Sequence, residues 1–210
     1  MKWAEYFLML MDWKRLPAYR AEPRIDSLIG YYLPEIIGDF AGDMPRGIIP
    51  ELPIRLGTIR PEHEGTHYSD RSYKVDFYLV GHSGAHYFVE FKTDSKSRRD
   101  NQDQYLIEAQ EHGMRAVVAG ILKIATVSTY KAKYNHLIEK LRGLELINED
   151  REYCGPDSPI QVVYVQPQPG TKGEDRVIDF RWISEWLITK YPNCDFEHEL
   201  AGALMEWAND

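Results

Sequence analysis

Asp76, Glu90 and Lys92 are the residues of this sequence whose types and spacing could do chemistry. They lie in two aromatic and β-branched runs, Ser72 to Val80 (SYKVDFYLV) and Ala85 to Thr93 (AHYFVEFKT), separated by Gly81-His82-Ser83-Gly84. This pattern predicts a β-hairpin with a short glycine-bearing loop. Side chains alternate along a strand, so Val75, Phe77 and Leu79 share one face and Lys74, Asp76 and Tyr78 the other. On the second strand Val89 and Phe91 oppose Phe88, Glu90 and Lys92. With the hairpin centred on Ser83, paired residue numbers add to 166 and Asp76 lies opposite Glu90. Two opposed carboxylates repel unless a cation neutralises them. Mg²⁺ suits that role, because it takes a few carboxylate oxygens and keeps its other positions for water and phosphate. Lys92, ~7 Å beyond Glu90 on the same face, could orient or deprotonate a water, or stabilise negative charge developing on phosphate. These are the parts for metal-assisted phosphodiester hydrolysis. The plain alternative is a solvated, ion-paired face. The apolar character of both strands and the basic loop that follows favour a site.

The elements that must position these residues are legible around the hairpin. A first helix is expected from about Lys2 to Leu16, stopping near Pro17. A second starts near Arg24, where Asp26 or Ser27 can cap it, and carries Leu28, Ile29, Tyr32, Leu33, Ile36 and Ile37 at helical spacing. Pro34 should kink or split it. The Pro- and Gly-rich stretch from Gly42 to Pro61 holds one strand, near Leu52 to Ile59. After the hairpin a helix runs from about Arg99 to His112 and ends at Gly113. Ala116 to Ile121 reads as strand or buried connection, and Val127 to Leu144 as an amphipathic helix. Ile160 to Gln166 is a strong strand, and Gly170 to Asp175 a polar loop. A last strand is expected over Arg176 to Trp182, a helical turn over Ile183 to Ile188, and a C-terminal helix marked by Phe196, Leu200, Leu204 and Trp207. The fold class is α/β, a mixed sheet flanked by helices.

Asp76, a hairpin turn, and Glu90-Phe91-Lys92 together resemble the active-site signature of the PD-(D/E)XK nuclease superfamily, the restriction-endonuclease-like fold. The signature is short. The order around it strengthens the resemblance: helix, strand, motif hairpin, helix, then the strand at Ile160 to Gln166. The resemblance covers a core of about residues 24–166 within one 210-residue domain, with helical extensions over 1–23 and 167–210. It implies that Asp76, Glu90 and the Phe91 carbonyl hold Mg²⁺, with Mn²⁺ as a substitute, and that Lys92 is the catalytic lysine. Members often add a glutamine from the helix after the motif. Gln102 and Gln104 are both available, and Gln102 is favoured slightly. Many also add a glutamate from the first helix, for which Glu35 is the candidate. Val75 precedes Asp76 where the name of the motif has proline. The implied activity is a Mg²⁺-dependent nuclease, on DNA rather than RNA. The alternative is a catalytically inactive module of that fold that binds nucleic acid or a protein.

Charge first argues the other way. The 210 residues carry a formal net charge of −8, with 43% apolar and 28% charged residues, the composition of a folded acidic protein. The charge is unevenly divided, however. Residues 92–142 hold 10 basic and 6 acidic residues, net +4, whereas 143–210 are net −9 and 1–91 net −3. Lys96, Arg98 and Arg99, with Gln104 close behind, are placed to contact phosphates beside the motif. Arg115, Lys123, Lys131 and Lys133 continue the basic stretch, and the run from Lys131 to Arg142 reads better as a solvated helix face. The acidic last third leaves room for a basic protein partner. The C-terminal helix could support a homodimer but is read as packing on its own domain. His63 and His67, in a Pro/Gly context, read as loop residues. His82 and His86 read as surface residues of the turn, and the tyrosines mostly as core and rim. Cys154 and Cys194 imply neither zinc nor a disulfide framework. The apolar start, Met1 to Trp13, is interrupted by Glu5 and Asp12 and is short of the ~20 residues of a membrane span. The expectation is a cytoplasmic protein with no membrane association.

Overall fold

The predicted hairpin forms, within a series of helices and strands. The structure is a computed structural model that describes residues 3–14, 22–93, 100–170 and 176–209. In chain order these give α1 (Trp3–Lys14), α2 (Glu22–Ala41), β1 (Pro45–Arg55), α3 (Leu56–Ile59), β2 (Ser72–Gly81), β3 (His86–Phe91), α4 (Asp100–Val127), α5 (Lys131–Gly143), β4 (Ile160–Gln166), β5 (Arg176–Asp179), α6 (Phe180–Lys190) and α7 (Asp195–Trp207). The strands form one five-stranded sheet in the order β1-β2-β3-β4-β5. β1 pairs antiparallel with β2, β2 antiparallel with β3, and β4 parallel with β5. The protein is therefore α/β, with a mixed sheet flanked by helices.

Several boundaries differ from the sequence reading, each for a physical reason. Pro34 neither splits nor ends α2. Leu33, Ile36 and Ile37 around it are fully buried, and that burial carries the helix past the missing hydrogen bond. β1 starts earlier than expected and stops at Arg55, and Leu56 to Ile59 turn into α3 rather than extending the strand. Ala116 to Ile121 is helix, not strand. Met114, Val117, Val118, Ile121 and Ile124 are all buried, a helical repeat that the short apolar run concealed. Gly113 does interrupt the helix, at φ 76° and ψ 168°, but the chain resumes helical geometry at once. α5 begins at Lys131 rather than Val127. β5 is only four residues long, because Asp179 caps α6 by accepting from the Trp182 amide at 2.8 Å.

The described residues fall into two compact groups of segments, one within 1–36, 90–98 and 163–210, the other within 37–89 and 99–162. In the first group α1 lies on α7, with Trp3 and Phe7 against Phe196 at centroid distances of 4.6 and 5.8 Å. α6 and α7 share a seam in which the buried Ser184 hydroxyl donates to the Ala201 carbonyl at 2.9 Å. Phe91, at the end of β3, stacks on Phe180 at 5.8 Å.

In the second group Asp43 locks the hairpin turn. It accepts from the Ser83 amide at 3.0 Å, the Ser83 hydroxyl at 2.5 Å and the Tyr87 hydroxyl at 3.1 Å. Burial pushes its carboxyl up, but these hydrogen bonds outweigh it and hold the group below the ordinary carboxylate value. Gly84 adopts φ +89°, and a Cβ there would come within 3.0 Å of Pro156, so only glycine fits this turn. His86 is not a surface residue: it is completely buried. Its Nε2 lies 2.9 Å from the Pro156 carbonyl and its Nδ1 2.9 Å from the Tyr78 hydroxyl. A carbonyl can only accept, so Nε2 donates and Nδ1 accepts from Tyr78.

Burial pushes the His86 pKa below its ordinary 6.5, against the opposing pull of the Pro156 carbonyl. The folded state thus favours the neutral ring. Stability from this group is complete above about pH 6.5 and falls as the pH drops below it, because the unfolded chain then binds a proton that the folded one resists. Unfolding free energies from urea titrations between pH 7.5 and 5 should decline more steeply for wild type than for His86→Gln, by at most about 1.4 kcal/mol per pH unit for one proton. Parallel declines would place the titration elsewhere.

Candidate functional site

β2 and β3 pair in the register that the sequence predicts. Phe77 lies opposite Val89, Tyr78 opposite Phe88, Leu79 opposite Tyr87 and Val80 opposite His86. The paired numbers add to 166. The expected contrast between a buried and a polar face does not hold. Tyr78, Phe88 and Glu90, on the nominally polar face, are all fully buried, as happens when a sheet is covered on both sides. Asp76 is half-buried.

β1 contributes an irregularity beside Asp76. Pro50 pairs with Phe77 and Leu52 with Val75, and Glu51 between them has φ 54°. A non-glycine residue in the left-handed region inside a strand carries strain, and such strain concentrates at functional sites. Nothing in the sequence singled out Glu51. Its side chain pairs with Lys74 at 2.8 Å.

Glu90, Phe91 and Lys92 form the tightest part of the site. The Lys92 backbone amide donates to the Val165 carbonyl of β4 at 2.8 Å, which fixes the chain just beyond β3. Its side chain does not continue along the face as an extended strand would carry it. It folds back, and Nζ donates to Glu90 Oε2 at 3.1 Å and to the Phe91 carbonyl at 3.0 Å. Glu90 is 0% and Lys92 4% exposed. The two oxygen groups that the motif assigns to a metal ion thus converge on one cation, and that cation is an ammonium. Oxygen donors of this kind suit a hard divalent cation such as Mg²⁺. Among the described residues there is no cluster of three or more His, Cys, Asp or Glu side chains able to hold a metal ion.

The remaining predicted residues are more scattered. Glu35, on α2, accepts from the Tyr191 hydroxyl at 3.2 Å and pairs with Lys190 at 3.2 Å. Its carboxylate is engaged with the end of α6. Gln104 is exposed on α4 and donates to Glu108 at 3.2 Å. Gln102 lies in the first turn of α4, and its side chain is outside the described residues, as are Lys96, Arg98 and Arg99.

Much of the described basic stretch has partners within the chain. Arg115 pairs with Asp157 at 3.1 Å, Lys123 with Glu64 at 3.3 Å, and Arg142 with Glu139 at 2.6 Å. Lys131 donates to the Ala125 and Thr126 carbonyls at 3.0 and 2.6 Å, capping the C-terminus of α4. These groups serve the fold first, and only the Lys131–Arg142 face was read that way from sequence. His63 ends a single turn of 3-10 helix over Pro61–His63 and His67 lies in a turn, and both cysteines are free and exposed. No helix among the described residues is long and apolar enough to cross a membrane. No family model, curated protein or solved structure matches the chain.

Proposed function

We propose that this chain is a Mg²⁺-dependent nuclease of the restriction-endonuclease-like class, acting on DNA in preference to RNA. The observation that carries the reading is the convergence of Glu90, the Phe91 carbonyl and Lys92 within one buried turn of chain. The element order α2, β1, β2, β3, α4, β4 supports it, since the motif hairpin sits between the first helix and the helix that follows it. Asp76, Glu90 and the Phe91 carbonyl would hold the ion, and Mn²⁺ would be able to replace Mg²⁺. When bound, the metal supplies neutralising charge and a water of lowered pKa for attack on a phosphodiester. Lys92 stabilises the negative charge that develops on the phosphate. Gln102 orients the nucleophile, and Lys96, Arg98, Arg99 and Gln104 hold the backbone of the nucleic acid. The setting is cytoplasmic, and the acidic segment 143–210 is the surface for a basic partner or a second copy.

The test is cleavage of plasmid, linear and single-stranded DNA in Mg²⁺ or Mn²⁺. Lys92→Ala and Asp76→Ala should each lower the rate by roughly 10²–10³-fold. Wild-type cleavage no faster than that of Lys92→Ala would overturn the proposal. A second reading, an inactive module of the same fold, draws on one specific observation: Glu35 is tied to Tyr191 and Lys190. It predicts nucleic-acid or protein binding that is indifferent to both substitutions.

A further inference from the structure

We infer that Lys92 is an internal competitor of the metal: its ammonium holds the position on Glu90 and the Phe91 carbonyl that a divalent cation would take. The inference rests on the metal-site reading above but concerns a different property, the order of events at the site. Nζ lies 3.1 Å from Glu90 Oε2 and 3.0 Å from the Phe91 carbonyl oxygen. A Mg²⁺ ion needs oxygens at about 2.0–2.1 Å. An ion seated where Nζ now sits on these two oxygens would have to displace it, because three positive charges cannot be crowded where almost no water reaches to screen them. Glu90 and Lys92 are 0% and 4% exposed. Ion and ammonium therefore compete for these oxygens.

Only one of them is free to leave. The Lys92 backbone is pinned by its amide hydrogen bond to Val165, but its four-carbon stem is flexible and carries a compact, strongly hydrated charge. Metal entry moves the side chain and leaves the backbone in place. Lys92 thus has two stations. Without metal it is the counter-ion that makes a buried Glu90 tolerable. With metal its ammonium is released from the carboxylate and becomes available to a phosphate. The metal ion does more than supply chemistry: it delivers the lysine. The cost is a reduced affinity for the ion, since each binding event must break an ion pair already made.

Two measurements test this. Calorimetric titration with Mn²⁺ should show Lys92→Met binding about ten- to hundredfold more tightly than wild type. Glu90→Gln should bind far more weakly than either. If wild type binds Mn²⁺ through Glu90 but Lys92→Met binds no more tightly, the competition is overturned and the metal site stands. If neither wild type nor Lys92→Met binds Mn²⁺, both fall. Because Lys92→Met removes the cation paired with a buried carboxylate and could fail to fold, the second measurement uses wild type only. Reductive methylation read by peptide mass spectrometry should find Lys92 protected in EDTA and modified in saturating Mg²⁺. Unchanged protection of Lys92 in Mg²⁺ would overturn the inference.

Discussion

Replacing Glu90 by Met, with Lys92 retained, should destabilise the fold by about 3–5 kcal/mol, because it removes the carboxylate that balances an ammonium where water does not reach. Lys92→Met should cost a similar amount by removing the cation that balances the carboxylate. The double substitution should recover most of the loss, and could exceed wild type, since two apolar side chains of like volume pay no desolvation of charge. The physical basis is burial: the pair is 3.1 Å apart, with side chains 0% and 5% exposed. Exposed ion pairs contribute only about 0–1 kcal/mol. Urea unfolding of the four proteins gives the coupling energy directly. Single substitutions that each cost under about 1 kcal/mol would mean that water screens the pair. A stable double variant would also be inactive under the proposed function. Stability and activity would then separate at these two positions, as expected where buried charge is kept for chemistry and not for the fold.

The second large effect lies at Arg55, the last residue of β1. Its side chain is 5% exposed and meets two carboxylates, Glu64 at 2.5 Å and Asp70 at 2.8 Å. Both acids are nearly half exposed, and together they tie the excursion 61–71 to the sheet. The arginine holds the Glu64 carboxyl below its ordinary range, chiefly through that hydrogen bond. Arg55→Met should cost about 3 kcal/mol, mostly the loss of charge-assisted hydrogen bonds, because the released acids can turn to water. Glu64→Gln with Asp70→Asn should cost more, since it leaves the buried cation without a charged partner. The asymmetry is the informative result. Hydrogen exchange should show residues 61–71 opening in both variants while β2 and β3 stay protected. Uniform loss of protection would mean that Arg55 supports the whole group and not this excursion alone.

What could be read from sequence follows from how local each signal was. The hairpin was legible to the exact register because the turn glycines and the strand residues lie within twenty positions of one another. The helical half of α4 after Gly113 was not. Val117 and Val118 are adjacent β-branched residues, and only their spacing to Met114, Ile121 and Ile124 distinguishes a helix from a strand. His86 looked like a turn residue because its partners, Tyr78 and Pro156, are supplied by register and by a loop 70 residues away. Spacing singled out Glu90 and Lys92 as candidates but misjudged their relation. Strand geometry separates i and i+2 by ~7 Å, whereas β3 ends at Phe91 and lets the lysine fold back. Glu51 and the Lys190–Tyr191 hold on Glu35 depend on tertiary contacts that no local pattern encodes.

β1 has a consequence for how the protein behaves at high concentration. It is the outermost strand of its sheet, eleven residues long, and an exposed strand of that length is ordinarily a template for another chain. Pro45, Pro50 and Pro53 remove three of its amide donors, and the left-handed Glu51 bends the line on which a neighbour would have to align. A second copy cannot zip onto this edge with an unbroken ladder. Sheet-to-sheet aggregation through β1 is disfavoured by the same prolines that made the segment hard to read as a strand.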